Sequence, residues 1–166
     1  MTFQAFEQSV AAEPLKRVVR HWNEVRHDRA VPEWNAIRPS ALAAQLSIIW
    51  SWKYDPVSDQ FTGRLAGDAI EAIFGRSLRG AAMTDVFRPS EYGRLFARHK
   101  RVATEPALFR GTGLVFHHIE RYGTGERVIL PMSDGIFGAT VYEASAGPLP
   151  PGVAAAGEQE EWFVLA

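Results

Sequence analysis

The chain has 166 residues, 46% hydrophobic and 22% charged, which is enough for one domain whose core needs no disulfide or metal staple. Lys and Arg number 18 against 19 Asp and Glu, a net charge of -1, which argues against a basic nucleic-acid-binding surface. With no cysteine, disulfide scaffolds, thiolate metal sites, thiol nucleophiles and cysteine-linked chromophores or haem are excluded. No apolar run approaches the roughly 20 residues that span a bilayer. Met1–Glu7 carries neither the basic region nor the apolar stretch of a leader, so the expectation is a cytoplasmic protein with no membrane partner.

Residues 1–45 read as an N-terminal helix and connector. Leu15, Val18, Val19, Trp22 and Val25 recur at three- and four-residue spacing, an apolar stripe on an otherwise charged helix that Pro14 can open. Such a stripe predicts burial against a sheet or a second subunit, with a homodimer as the less favoured outcome. Pro32 marks the exit, and Trp34 to Leu46 reads as a connector with a short helical turn after Pro39-Ser40.

Residues 46–144 carry the strand signals. Leu46–Tyr54 places Trp50, Trp52 and Tyr54 on one face, Asp55–Asp59 is turn chemistry, and Phe61–Ala66 completes a hairpin. After Gly67, Asp68 is suited to cap a helix carrying Ile70, Ile73 and Phe74, closed by Gly75. Pro89 opens a longer helix with Tyr92, Leu95, Phe96, His99 and Val102 on its apolar stripe. Strand-like runs follow at Leu108–Arg121, Glu126–Ser133 and Ile136–Ala144, linked through Tyr122–Gly125 and Ser133-Asp134-Gly135, where Asp-Gly favours a tight turn with positive φ. Residues 145–166 change to small residues, Pro and Gly, then end in Trp162-Phe163-Val164-Leu165, a linker and an apolar tail. The order predicts an α+β fold, an antiparallel sheet of about five strands with helices inserted between strands 2 and 3.

Several residues also carry a resemblance. Leu15, Trp22, Pro32, Ile37, Pro39 and Asp55, the block Phe61–Gly67, then Ile70, Gly75–Leu78, Gly80 and Leu130–Gly135 resemble the PAS-5 family, a bacterial branch of the PAS sensory domains formerly catalogued as a domain of unknown function. The resemblance implies a PAS fold and a role in ligand sensing or protein contact rather than catalysis. Asp68 departs from it, since Thr is more usual after this glycine, and the C-terminal tail has no counterpart.

The candidate chemistry is sparse. His117 and His118 are strand neighbours and point to opposite faces; His118 with Glu120 would supply two metal ligands but no third, so no metal site is assigned. His99 reads as a core or pocket-edge histidine, with haem ligation the less favoured alternative, and no cofactor is assigned. Arg64 interrupts a small, apolar strand and either holds an anionic ligand or pairs with a carboxylate to pin the sheet; the second role is favoured. Gly111, Gly113 and Gly138 remove bulk from the sheet, either to make room for a ligand or to let a helix approach closely. The candidate ligand-binding residues are Trp50, Arg64, Phe74, Phe96, His99 and Phe116. The candidate interaction residues are Leu15, Val18, Trp22, Val25, Trp162 and Phe163.

The expected function is a stand-alone PAS-like module that binds a small molecule or a signalling protein, without catalytic activity. The rival is a small enzyme with an α+β cavity using His99 or His117 as a base. A deep closed cavity with a His–Asp pair would favour the enzyme, and a cavity lined by apolar groups with no titrating pair the sensor.

Overall fold

Two helices precede the first strand: α1 (Phe3–Ser9) and α2 (Glu13–Arg26), the second with Pro14 in its first turn. The computed structural model describes residues 2–105, 107–116, 123–144 and 151–165. Helix α2 is the one its apolar spacing predicts, and Leu15, Val18, Val19 and Trp22 are fully buried. Helix α1 has no clear sequence signal because it is only seven residues long and buries a single side chain, Phe6. After α2 the chain forms short 3-10 helices at Trp34–Ala36 and Pro39–Ile48. The first strand therefore begins at Ile49 rather than at Leu46. The backbone of Leu46 and Ser47 lies against Gly67, within 2.0 Å and 2.5 Å of where a Cβ would stand, so this segment crosses the hairpin instead of extending it.

The described residues form six strands, β1 (Ile49–Asp55), β2 (Gln60–Ala66), β3 (Ala107–Leu114), β4 (Gly123–Met132), β5 (Gly135–Ala144) and β6 (Glu158–Val164). They form one sheet in the order β2-β1-β5-β4-β3-β6, each pair antiparallel. Helices α3 (Asp68–Phe74), α4 (Met83–Val86) and α5 (Pro89–Thr104) are inserted between β2 and β3. Gly67, not Asp68, is the N-cap of α3; Asp68 is its first residue, makes no capping bond, and contributes charge to the positive end of the helix. Gly75 closes α3 in the left-handed region at φ 65°, its N–H donating to the Glu71 carbonyl at 2.8 Å. In the β4–β5 hairpin Met132 pairs with Gly135, so the turn is Ser133-Asp134 and Gly135 already belongs to the strand.

Two further expectations need correction. Strand β3 stops at Leu114, where Val115 and Phe116 turn; the rest of the run expected to Arg121 lies outside the described residues. Within the stretch expected to be a linker and apolar tail, residues 145–150 lie outside the described residues, and the described part is not a tail. Residues 151–165 hold helix α6 (Pro151–Ala156) and β6, a sixth described strand that pairs with β3. The reason is alternation: Glu158, Glu160 and Trp162 face α5, while Glu161 and Phe163 face α1 and Arg110.

The sheet is covered on both faces. Helices α1 and α2 and the 3-10 segments pack one face with Leu108, Val128, Leu130 and Phe137. Helices α3–α5 pack the other with Trp50, Trp52, Phe109, Ile129 and Ile136. Successive residues of β4 thus enter opposite cores, which is why its sequence reads as a continuous apolar run. On β5, Gly138 lies under the Trp50 indole, 2.3 Å from where a Cβ would be. Gly138→Ala is expected to cost about 1–3 kcal/mol of stability through overpacking, seen as a lower urea midpoint with an unchanged slope.

Candidate functional site

The face of the sheet under α3–α5 holds a small cavity of about 20 Å³. That is room for one water, which needs about 10–15 Å³ by the same measure. Trp50 and Trp52 of β1, Phe74 of α3, His99 of α5, Phe116 after β3, Arg127 of β4 and Thr140 of β5 are among its walls. The alternation of β1, β4 and β5 aims Trp50, Arg127 and Thr140 at the same side. Trp50 donates its indole N–H to Thr140 Oγ1 at 2.9 Å.

Of the ligand-binding candidates, Trp50, Phe74, His99 and Phe116 come together here. Phe96 does not reach the cavity wall; it packs against Phe61 at 5.9 Å and Tyr92 at 5.5 Å between ring centroids. Arg64 lies on the other face, 2.6 Å from Asp134 and with its guanidinium 4.6 Å from the Trp34 ring centre. A bulge between Ser51 and Trp52 shifts the β1–β2 register at that point. Arg64 therefore ties β2 to the β4–β5 turn. Sequence reading misses Thr140 and Arg127; Thr140 interrupts the small, apolar run Gly138–Val141, while Arg127 follows Glu126 at the start of an apolar run and carries no such signal.

His99 is wholly buried, ringed by Trp50, Phe61 and Phe87 at 5.6–6.1 Å, with Nδ1 bonded to the Leu95 carbonyl at 2.6 Å. Desolvation drives its pKa down to about 3, the Leu95 bond opposes that shift, and the Arg98 and Arg127 charges add to it. No carboxylate touches it among the described residues, so the His–carboxylate pair required of a general base is not formed there. A haem macrocycle does not fit a cavity of about 20 Å³. His117, His118 and Glu120 lie outside the described residues, and among the described residues no three metal-ligating side chains converge.

The burial of His99 has a measurable consequence. Because its folded pKa lies below the ordinary 6.5, the unfolded chain binds the extra proton between the two values. The stability associated with neutral His99 is present above pH 6.5 and is lost as pH falls toward 3, with a limiting slope of about 1.4 kcal/mol per pH unit. Replacement His99→Phe is expected to flatten the urea-midpoint profile between pH 6.5 and about 4.5; a profile parallel to the parent chain's would exclude this assignment.

Behind the cavity lies a buried charge cluster. Arg98 of α5 contacts Glu158 at 2.9 Å and Glu160 at 2.5 Å, and Arg127 Nε lies 2.8 Å from Glu158 Oε1. The side chains of Arg98 and Glu158 are 2% and 3% exposed, so this is an interior network rather than a surface one. Burial lowers the Arg127 pKa to about 10, with Glu158 opposing the shift and Arg98 and Arg94 adding to it; the group stays cationic at neutral pH. The Arg127–Glu158 contact is badly aligned, and neither Nε nor Oε1 makes a hydrogen bond. Gly111 on β3 makes room for the Glu158 carboxylate, whose Oε1 stands 2.1 Å from where a Cβ would be. The missing bulk in β3 thus serves β6, not a helix.

Further along α5, Arg94 reaches toward Glu160 at 3.9 Å and Arg101 lies 4.0 Å over the Trp162 ring. Arg94, Arg98 and Arg101 lie on one face of α5 and together meet Glu158, Glu160 and Trp162, alternate residues of β6. The interaction candidates are engaged within the chain. Leu15, Val18, Trp22 and Val25 are buried under the chain's own sheet, Phe163 meets Phe6 at 5.2 Å, and Trp162 meets Phe109 at 5.0 Å.

Comparison with protein-family models finds a match over residues 10–133, to the family described as the PAS domain. No curated protein and no solved structure gives a significant match. The matched segment includes the cavity walls from Trp50 to Arg127 but ends before Thr140 and before β6. No helix of the described residues is long and apolar enough to cross a membrane.

Proposed function

The chain belongs to the PAS domain family, and from that premise we propose that it is a cytoplasmic bacterial sensory module which binds a small molecule in the α3–α5 cavity and answers by altering a protein–protein contact at β6. The observation that carries this reading is that Arg127 serves two structures at once. It lines the cavity and also pairs with Glu158 of β6. A molecule that draws on Arg127 must change how firmly β6 is held, because a buried ion pair depends on both of its partners.

Native mass spectrometry of the freshly purified chain, with amide exchange across Glu158–Val164, tests the reading. A retained small mass, and altered β6 exchange once it is removed, is the expected result. A bare chain whose β6 exchange also stays unchanged when Thr140→Ile fills the cavity would overturn it. The size of the cavity supports a second reading, a protein-interaction module whose core is simply filled. The enzyme reading has no support at His99, a buried neutral imidazole without a carboxylate partner.

A further inference from the structure

The segment 27–38, after α2, is held as a strap. It leaves α2 at His27, whose φ of 48° lies in the left-handed region that a side-chain-bearing residue disfavours. Its middle is fixed to the sheet, with the Ser133 N–H donating to the Pro32 carbonyl at 3.0 Å and the Trp34 ring 6.0 Å from Phe137. Its far end returns to α2 at His21, where the Arg38 backbone N–H donates to Nε2 at 3.0 Å. His21 is 5% exposed, so water has little access to this bond. The Arg38 side chain also pairs with Glu24 at 2.9 Å, at the edge of a hollow of about 410 Å³ between the strap and the end of the helix.

An N–H donor requires a lone pair on Nε2, and an imidazolium has none. We propose that His21 is a proton-operated latch: its neutral imidazole keeps the strap closed on α2, and its protonation releases Ile37 and Arg38 from the helix. His99 differs, because its bond to the Leu95 carbonyl uses a ring N–H that an imidazolium keeps. Burial lowers the His21 pKa below the ordinary 6.5, the Arg38 charge adds to that shift, and Glu24 opposes it. The latch is therefore closed above pH 6.5 and opens as pH falls toward the folded-state value. The other charged groups around α2 are engaged elsewhere. Glu7 of α1 pairs with Arg20, and Arg29 pairs with Glu33 within the strap. Glu126 of β4 and Glu143 of β5 lie at the other end of α2, beside Ala11 and Ala12. Arg127 and Tyr142 lie on the opposite face of the sheet, and Pro39–Ile48 carries no ionisable side chain. The latch thus stands independently of ligand binding in the α3–α5 cavity and gives the domain a separate input, the proton.

NMR of the whole nitrogen-labelled chain, from about pH 7.5 to about pH 4.5, tests the latch at the His21 ring nitrogens and by amide exchange. At neutral pH Nε2 should be the unprotonated ring nitrogen. Below 6.5 the protection of the Arg38 amide, relative to intrinsic exchange, should fall in step with Nε2 protonation. Its limiting slope should be about tenfold per pH unit, beyond any loss shared with the β4 amides, which report global stability. His21→Gln keeps an acceptor but no titrating proton, and should remove that extra slope. A protonated Nε2 at neutral pH, Arg38 protection that follows the β4 amides throughout, or an extra slope that survives His21→Gln would overturn the latch. The first two readouts use the parent chain, so they decide the matter if the variant does not fold.

Discussion

Glu158→Gln is expected to lower stability by about 3–5 kcal/mol, because it leaves Arg127 a buried charge without its carboxylate and Arg98 with Glu160 alone. The substitution keeps shape and volume, so packing loss contributes little and the effect reports charge pairing. Urea denaturation at neutral pH measures it, with thermal unfolding as a second readout. Truncation after Gly157 is the larger perturbation. It removes the pairing partner of Ala107–Gly113, the cover over Phe109, and the carboxylates facing Arg98 and Arg110. That chain is expected to lose its cooperative transition. A truncated chain that melts like the parent would show β6 to be dispensable, and would also sink the proposal that β6 is the responding element.

The second large effect is at Trp22. Its indole is wholly buried on the α2 face, donates Nε1–H to the Pro131 carbonyl at 2.8 Å, and stacks on Phe3 at 6.1 Å. Trp22→Ala is expected to cost about 3–5 kcal/mol, from the cavity left behind and the stranded Pro131 acceptor. Sedimentation should not change, because the partner of the stripe is the chain's own sheet rather than a second subunit. Trp22→Phe retains most of the volume and separates the two contributions: it should recover the packing part and leave the hydrogen-bond loss of roughly 1–3 kcal/mol.

Both predictions bear on how this domain is built. Strand β6 is clamped on each side of the sheet, by Arg94, Arg98 and Arg101 of α5 on one face and by Arg110 and Phe6 on the other. Glu126, which contacts Arg110 at 2.6 Å, also accepts the backbone N–H groups of Ala11 and Ala12 at 2.9 Å and 2.7 Å. The start of α2 is therefore connected through Glu126 and Arg110 to β6, while the cavity is connected to β6 through Arg127. The family match covers the first of these ends and most of the cavity, but not the strand that joins them.

Local chemistry by itself determined the elements whose period is set within the element. The stripe of Leu15, Val18, Trp22 and Val25 could be buried only as one helix face, Pro89 could only open α5, and Gly75 could only close α3. The order of strands around the inserted helices followed from the same signals, and with the family resemblance it led to the PAS fold. What only the tertiary structure decided were the partners. Residues 158–164 read as part of an apolar tail until pairing with β3 sets Glu158, Glu160 and Trp162 against Arg94, Arg98, Arg101 and Arg127. Arg64 reads as a structural pin with a ligand anchor as the less favoured role, but its partner, Asp134 at 2.6 Å, and its place on the far face come only from the fold and the bulge at Ser51/Trp52. Arg127 and Thr140 acquire meaning only beside Trp50 and His99, which reach them from other strands and from α5. Helix and strand periods are short-range steric facts, whereas the pairing of a buried charge depends on which distant carboxylate the fold delivers to it, and that is a property of the packed chain.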